Sequence, residues 1–73
     1  MTALDGELQM IRLKSLEKRL GVSSSTIYNK LNPASQYYDP EFPKQIKLGG
    51  GAVAWIEAEI NEWLKSQIKK SRM

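Results

Sequence analysis

The chain has 73 residues, a formal net charge of +3, and neither Cys nor His. This length suits one domain near the lower size limit for a core without cross-links. The missing Cys and His exclude disulfides, thiolate chemistry and the usual transition-metal ligand, so we expect no enzyme, no metal and no cofactor. No apolar run approaches the roughly 20 residues that a membrane span needs, and we expect a cytoplasmic protein.

The cationic side chains are concentrated in one segment. Residues 10–36 carry a net charge of +4, whereas residues 1–9 carry −2 and residues 37–55 are neutral. Concentrated positive charge favours a polyanionic partner such as nucleic acid. A solvated basic face that serves only solubility explains the charge equally well.

The N-terminal third of the chain predicts a leader, a short extended piece and a helix. Residues 1–9 show no periodicity and are interpreted as a flexible leader, followed by an extended piece at Met10–Arg12. Leucines spaced by three and four residues then predict a helix over Lys14–Leu20, which Gly21 ends.

The second predicted helix spans Ser24–Leu31, with Ser23 as its N-cap. Val22 and Ile27 have the spacing of a hydrophobic staple, and Pro33 ends the helix. Two short helices joined by a tight Gly-containing turn are typical of a helix-turn-helix.

A β-hairpin and a third helix complete the predicted elements. Gln45–Leu48 alternates polar and apolar residues, Gly49–Gly51 can form a tight turn, and Ala52–Trp55 supplies a second strand. The third helix follows directly, and residues 69–73 form a basic tail. In the loop before the hairpin, Tyr37 and Tyr38 are expected to pack onto the body of the domain.

This order of elements predicts an α+β fold, mostly α: a small winged helix-turn-helix over residues 10–68, with two N-terminal helices, a β-hairpin wing and a C-terminal helix. An isolated hairpin is not stable, so the apolar side chains of both strands are expected to turn inward. The predicted core consists of Leu16, Leu20, Ile27, Leu31, Ile46, Leu48, Val53, Trp55, Ile60 and Trp63.

The exposed face of the second helix is the candidate recognition surface. Steps of about 100° per residue place Ser25 and Asn29 opposite the apolar side. Thr26 and Tyr28 flank them, Lys30 lies at the edge, and the face contains no acidic residue. A helix that enters a DNA major groove needs this composition, and the Asn amide can pair with an adenine edge.

Several of these residues also have a purely structural interpretation. The three serines at 23–25 can be a polar helix start, and Tyr28 can cover the edge of the core. Arg12 would contact the DNA backbone. For Lys44 and Lys47, which flank the wing, phosphate contact and plain solvation are equally good interpretations.

The motifs resemble, in order and spacing, those of the AlpA family of prophage regulatory proteins over about residues 10–66. The resemblance is carried by Leu13–Leu20, Gly21–Ser23, Ser25–Tyr28, Phe42–Lys44, Ile46–Gly49, Val53–Trp55, Glu59, Ile60 and Trp63. It implies a MerR-like winged helix-turn-helix, related to phage excisionases, that binds double-stranded DNA and regulates transcription.

The resemblance also implies which residues face DNA. They are Ser24, Ser25, Thr26, Tyr28 and Asn29 on the second helix and Lys47 to Gly51 in the wing, Gly50 and Gly51 included. The family often has Arg where this chain has Ser24, Asn29 and Gly51, so fewer cationic contacts are implied here.

Three functions follow as hypotheses. The first is a sequence-specific transcriptional regulator of a prophage or integrated element, associated with the nucleoid. The second is an excisionase-like recombination directionality factor, with self-association on DNA and an integrase as further partners. The third is a protein-interaction module, which differs from the others because its binding should not fall steeply with salt.

Overall fold

The computed structural model describes residues 9–72, which form three helices and a three-stranded antiparallel sheet. The elements are β1 (Met10–Arg12), α1 (Leu13–Leu20), α2 (Ser24–Leu31), β2 (Ile46–Gly49), β3 (Ala52–Ile56) and α3 (Glu57–Ser71). This small α+β arrangement is a winged helix-turn-helix, as predicted, with β2 and β3 as the wing. Apart from residue 9, the predicted leader lies outside the described residues.

The two N-terminal helices begin and end where local sequence signals place them. The Ser23 side chain accepts a hydrogen bond from the backbone N–H of Thr26 at 3.3 Å, which confirms the predicted N-cap of α2. Gly21 ends α1 in a left-handed conformation with φ of 71°. The turn between the helices is therefore set by Gly21 at the end of α1 and Ser23 at the start of α2.

The wing belongs to a larger sheet than the sequence predicted. Strand β3 lies between β1 and β2, and Ile11 stands opposite Trp55. The extended piece at Met10–Arg12 thus covers one edge of the hairpin. A third strand and a buried face supply the stability that a free hairpin lacks.

The core confirms part of the prediction and corrects the rest. Its buried members are Ile11, Leu16, Ile27, Phe42, Ala54, Trp55 and Ile60. Four more predicted members pack against it while partly exposed: Leu20, Leu31, Val53 and Trp63. The core prediction missed Ile11, Phe42 and Ala54: Ile11 and Phe42 lie on no recognisable apolar stripe, and Ala54 lies on the strand face opposite Val53 and Trp55, which was taken as the outer one.

The predicted burial of Ile46 and Leu48 is wrong, since 36% and 50% of their surfaces are exposed. The strand register pairs Ile46 with Ala54. Ile46 therefore lies on the other face of the sheet from Trp55, because successive side chains of a strand point to opposite faces. The register then shifts between Lys47 and Gly49. Leu48 is the extra residue of this bulge and has no partner across the wing.

Candidate nucleic-acid interface

Helix α2 presents the predicted acid-free polar face. Ile27 is fully buried beneath it, whereas Ser25 and Thr26 are exposed and Tyr28 is 43% exposed. Ser24 and Asn29 are half-buried on the same helix. The exposed position of Tyr28 favours its role as a surface contact over its role as a cover for the core.

Thr26 and Ser23 share the start of the helix. Their hydroxyl oxygens lie 3.2 Å apart, in addition to the capping bond to the Thr26 backbone. A hydroxyl has one hydrogen and two lone pairs, so this contact leaves Thr26 able to bind a further polar group.

The loop after α2 forms a cleft with the helix that the sequence did not predict. Thr26, Asn29 and Lys30 line it from α2, and Tyr37 lines it from the loop, around a volume of about 220 Å³. Tyr37 is 63% exposed and Tyr38 is 39% exposed, so the expectation that both pack onto the body is wrong. The sequence signal that could have indicated this cleft is the pair Tyr37 and Tyr38, which follows a helix without acidic residues.

The wing tip is exposed throughout. Lys47, Leu48 and the three glycines that follow are all accessible. The glycines have positive φ angles of 100°, 57° and 82°, which only glycine adopts readily, and this confirms the predicted tight turn. Lys47 was predicted to face outward because Ile46 and Leu48 were expected to face inward. Ile46 and Leu48 are in fact exposed, and Lys47 is exposed as predicted.

The remaining predicted cationic contacts have different surroundings. The Arg12 side chain donates from Nε to the carbonyl of Val53 at 3.1 Å, which places it beside the wing strand β3. The Lys30 ammonium lies 5.3 Å from the ring centroid of Trp63, a residue of α3. Two cationic side chains are thus fixed by neighbours rather than free in solvent.

Lys44 lies apart from the α2 cleft, on a groove of about 750 Å³ between the loop and α3. Glu41, Glu59 and Glu62 also line this groove, together with Ile46. Glu41 and Glu62 pair with Lys70 and Lys65, so the groove has mixed charge and suits a polyanion less well than the acid-free face of α2 does. The structure therefore does not bring Lys44 together with the α2 residues.

Other basic residues hold the helices and loops together. Arg19 of α1 forms a salt bridge with Glu57 and donates to Asn61 at 3.1 Å, which joins α1 to α3. Lys70 donates to Glu41 at 2.9 Å, and this hydrogen bond and the carboxylate charge raise the Lys70 pKa above its ordinary value of 10.5. The pair thus contributes to stability below pH 10.5 and ceases to do so as the pH rises above the raised pKa.

No helix within residues 9–72 is long and apolar enough to cross a membrane. In the same part of the chain, no group of three or more acidic side chains is arranged to hold a metal ion.

The comparison with known families agrees with this geometry. A family model described as "Prophage CP4-57 regulatory protein (AlpA)" matches residues 9–68. The chain belongs to the AlpA family. It is a family of regulatory proteins, which confirms both the resemblance and the expectation that the chain is not an enzyme.

Two known proteins are similar to the chain in sequence. The chain is 45% identical over 62 residues to the DNA-binding transcriptional activator AlpA of Escherichia coli (strain K12), which covers 85% of this chain and 89% of the relative. It is 33% identical over 60 residues to the uncharacterized protein ORF88 of Enterobacteria phage P4, covering 82% of this chain and 61% of that protein. No solved structure is significantly similar to the chain.

Proposed function

We propose that this AlpA-family chain is a sequence-specific transcriptional regulator that binds double-stranded DNA, with α2 in the major groove and the wing on the backbone. The observation that carries the proposal is the acid-free polar face of α2, held outward by a buried Ile27. The 45% identity to a protein named as a DNA-binding transcriptional activator supports the same function.

The roles of individual residues follow from their chemistry. Asn29 has a side-chain amide that can make two hydrogen bonds to an adenine edge, and so can read sequence. Lys47 lies on the exposed wing and carries a charge that suits a backbone phosphate. Ser24, Ser25 and Tyr28 add hydroxyl groups along α2, while Arg12, Gly50 and Gly51 would bring β1 and the wing tip close to the backbone.

These assignments predict that two alanine substitutions weaken binding in different ways. Asn29→Ala should cost about 1–3 kcal/mol on the preferred duplex and relax the preference at one position, because it removes a base contact. Lys47→Ala should weaken binding to every duplex about equally and reduce the salt slope by about one, because it removes a phosphate contact.

The measurement needs a preferred duplex, which selection from a random duplex pool with the parent protein supplies. Both variants are then titrated against that duplex and a scrambled one, and thermal melting serves as the control for folding. Equal loss on both duplexes for Asn29→Ala would show that α2 does not read bases through this residue. A parent protein that selects no duplex would contradict the proposed function itself.

A further inference from the structure

We propose that the cleft between α2 and the following loop binds a backbone phosphate of the DNA, and that the Tyr37 hydroxyl donates a hydrogen bond to it. This inference rests on the proposed function and extends the interface to a loop outside the helix-turn-helix and the wing. The cleft is lined by Thr26, Asn29, Lys30 and Tyr37.

The chemistry of the lining suits an oxyanion. Thr26 and Tyr37 carry hydroxyl groups, and Lys30 adds a positive charge with its ammonium over Trp63, while the amide of Asn29 is the group assigned above to a base edge. None of them is acidic. Half or more of the hydrogen bonds from proteins to DNA go to phosphate and sugar, and hydroxyl, amide and ammonium groups are their usual donors.

The loop holds Tyr37 in place before any ligand arrives. The backbone N–H of Tyr37 donates to Ser35 Oγ at 3.0 Å, and the N–H of Ser35 donates to the Asn32 carbonyl at 2.9 Å. Beyond the tyrosines, the N–H of Asp39 donates to the Lys30 carbonyl at 2.9 Å. Both ends of the loop are therefore tied to the C-terminal end of α2, which lowers the entropy cost of ordering Tyr37 on DNA.

The size and exposure of the cleft fit a phosphate better than a small organic ligand. Its volume of about 220 Å³ is below the roughly 300–1,000 Å³ of pockets that enclose drug-sized molecules. Tyr37 remains 63% exposed, so a DNA backbone that follows α2 can reach its hydroxyl without a rearrangement of the loop.

The first test is the removal of one oxygen atom. Tyr37→Phe should bind the preferred and the scrambled duplex three- to tenfold more weakly, roughly the range of one hydrogen bond. The salt slope should stay unchanged, because a neutral hydroxyl releases no counterion. The matched control is Tyr38→Phe, which changes the neighbouring tyrosine outside the cleft and should bind like the parent.

The second test locates the phosphate. Duplexes with a single uncharged methylphosphonate linkage are titrated at each position along the preferred site. At one linkage the neutral substitution should weaken the parent, and it should weaken Tyr37→Phe by a clearly smaller factor. At the other linkages the two proteins should respond alike.

The outcomes separate the two proposals. Parent-like binding by Tyr37→Phe, or identical linkage profiles for both proteins, would overturn the role of Tyr37. If Asn29→Ala still relaxes sequence preference in that case, the proposed function stands and only the cleft assignment fails. A parent protein that binds no duplex would overturn both.

Discussion

At the scale of single residues, Trp63 joins three parts of the domain. Its indole N–H donates to Asp39 at 2.9 Å, and its ring meets Phe42 edge-on with the centroids 4.9 Å apart. Lys30 lies over the same ring. The residue therefore ties α3 to the loop and to the end of α2.

We expect Trp63→Ala to lower the free energy of unfolding by about 3–5 kcal/mol, since it empties this packing site. A domain of this size has little more stability than that, so most of the protein should unfold. Chemical denaturation measures the change. Trp63→Phe is the control: it keeps most of the apolar contact, loses the bond to Asp39, and should cost only about 1–3 kcal/mol. A Trp63→Ala protein that unfolds like the parent would contradict this role.

At the scale of elements, the wing has one buried face and an outward-facing tip. Trp55 of β3 is fully buried against Ile11 of β1, and its indole N–H donates to the carbonyl of Pro43 at 3.1 Å. Leu48 at the bulge is half exposed. Ile11 of β1, the strand that the sequence could least identify, therefore supplies the buried partner of Trp55, whereas Ile46 and Leu48 of β2 remain exposed.

This contrast predicts different costs for two apolar truncations. Leu48→Ser should change the free energy of unfolding by no more than about 0.5 kcal/mol, as exposed substitutions usually do. Ile11→Ala should cost about 2–5 kcal/mol, because Ile11 is only 5% exposed. Both variants are compared by thermal and denaturant unfolding. Similar losses for the two would mean that Leu48 packs inward, as the alternation predicted.

At the scale of the whole molecule, charge is distributed unevenly over the surface. The cleft and the α2 face carry no carboxylate, whereas Glu41, Glu59 and Glu62 lie along the groove beside α3. A polyanion should therefore approach from the α2 side.

We expect DNA binding to depend on salt with a modest slope. If one chain neutralises three to five phosphates, the slope of log affinity against log salt should be about −3 to −4.5. Ser24 and Gly51, at positions where the resemblance implied Arg, are uncharged, so we expect this low number. The melting temperature should change little over the same range, because the described ion pairs are solvent-accessible. A flat binding response would favour the protein-interaction hypothesis instead.

The sequence by itself determined the helices, the hairpin turn and the exposed polar face of α2. The helix cap at Ser23, the helix end at Gly21 and the glycine turn each involve residues within four positions along the chain. Such short-range signals can be predicted from the sequence. The face that includes Asn29 follows from the position of Ile27 and the helical period alone. These features include most of the proposed DNA contacts.

Only the tertiary structure decided which residues pair in the sheet and which residues line the α2 cleft. Met10 pairs with Ile56 across more than half of the chain, and no local pattern specifies such a pairing. The register of the wing strands took Ile46 and Leu48 out of the core, because Ile46 pairs with Ala54 and therefore lies on the face away from Trp55, and a bulge follows at Leu48. Tyr37 reaches α2 through backbone hydrogen bonds of its loop, so its place beside Asn29 depends on the folded loop and not on sequence spacing.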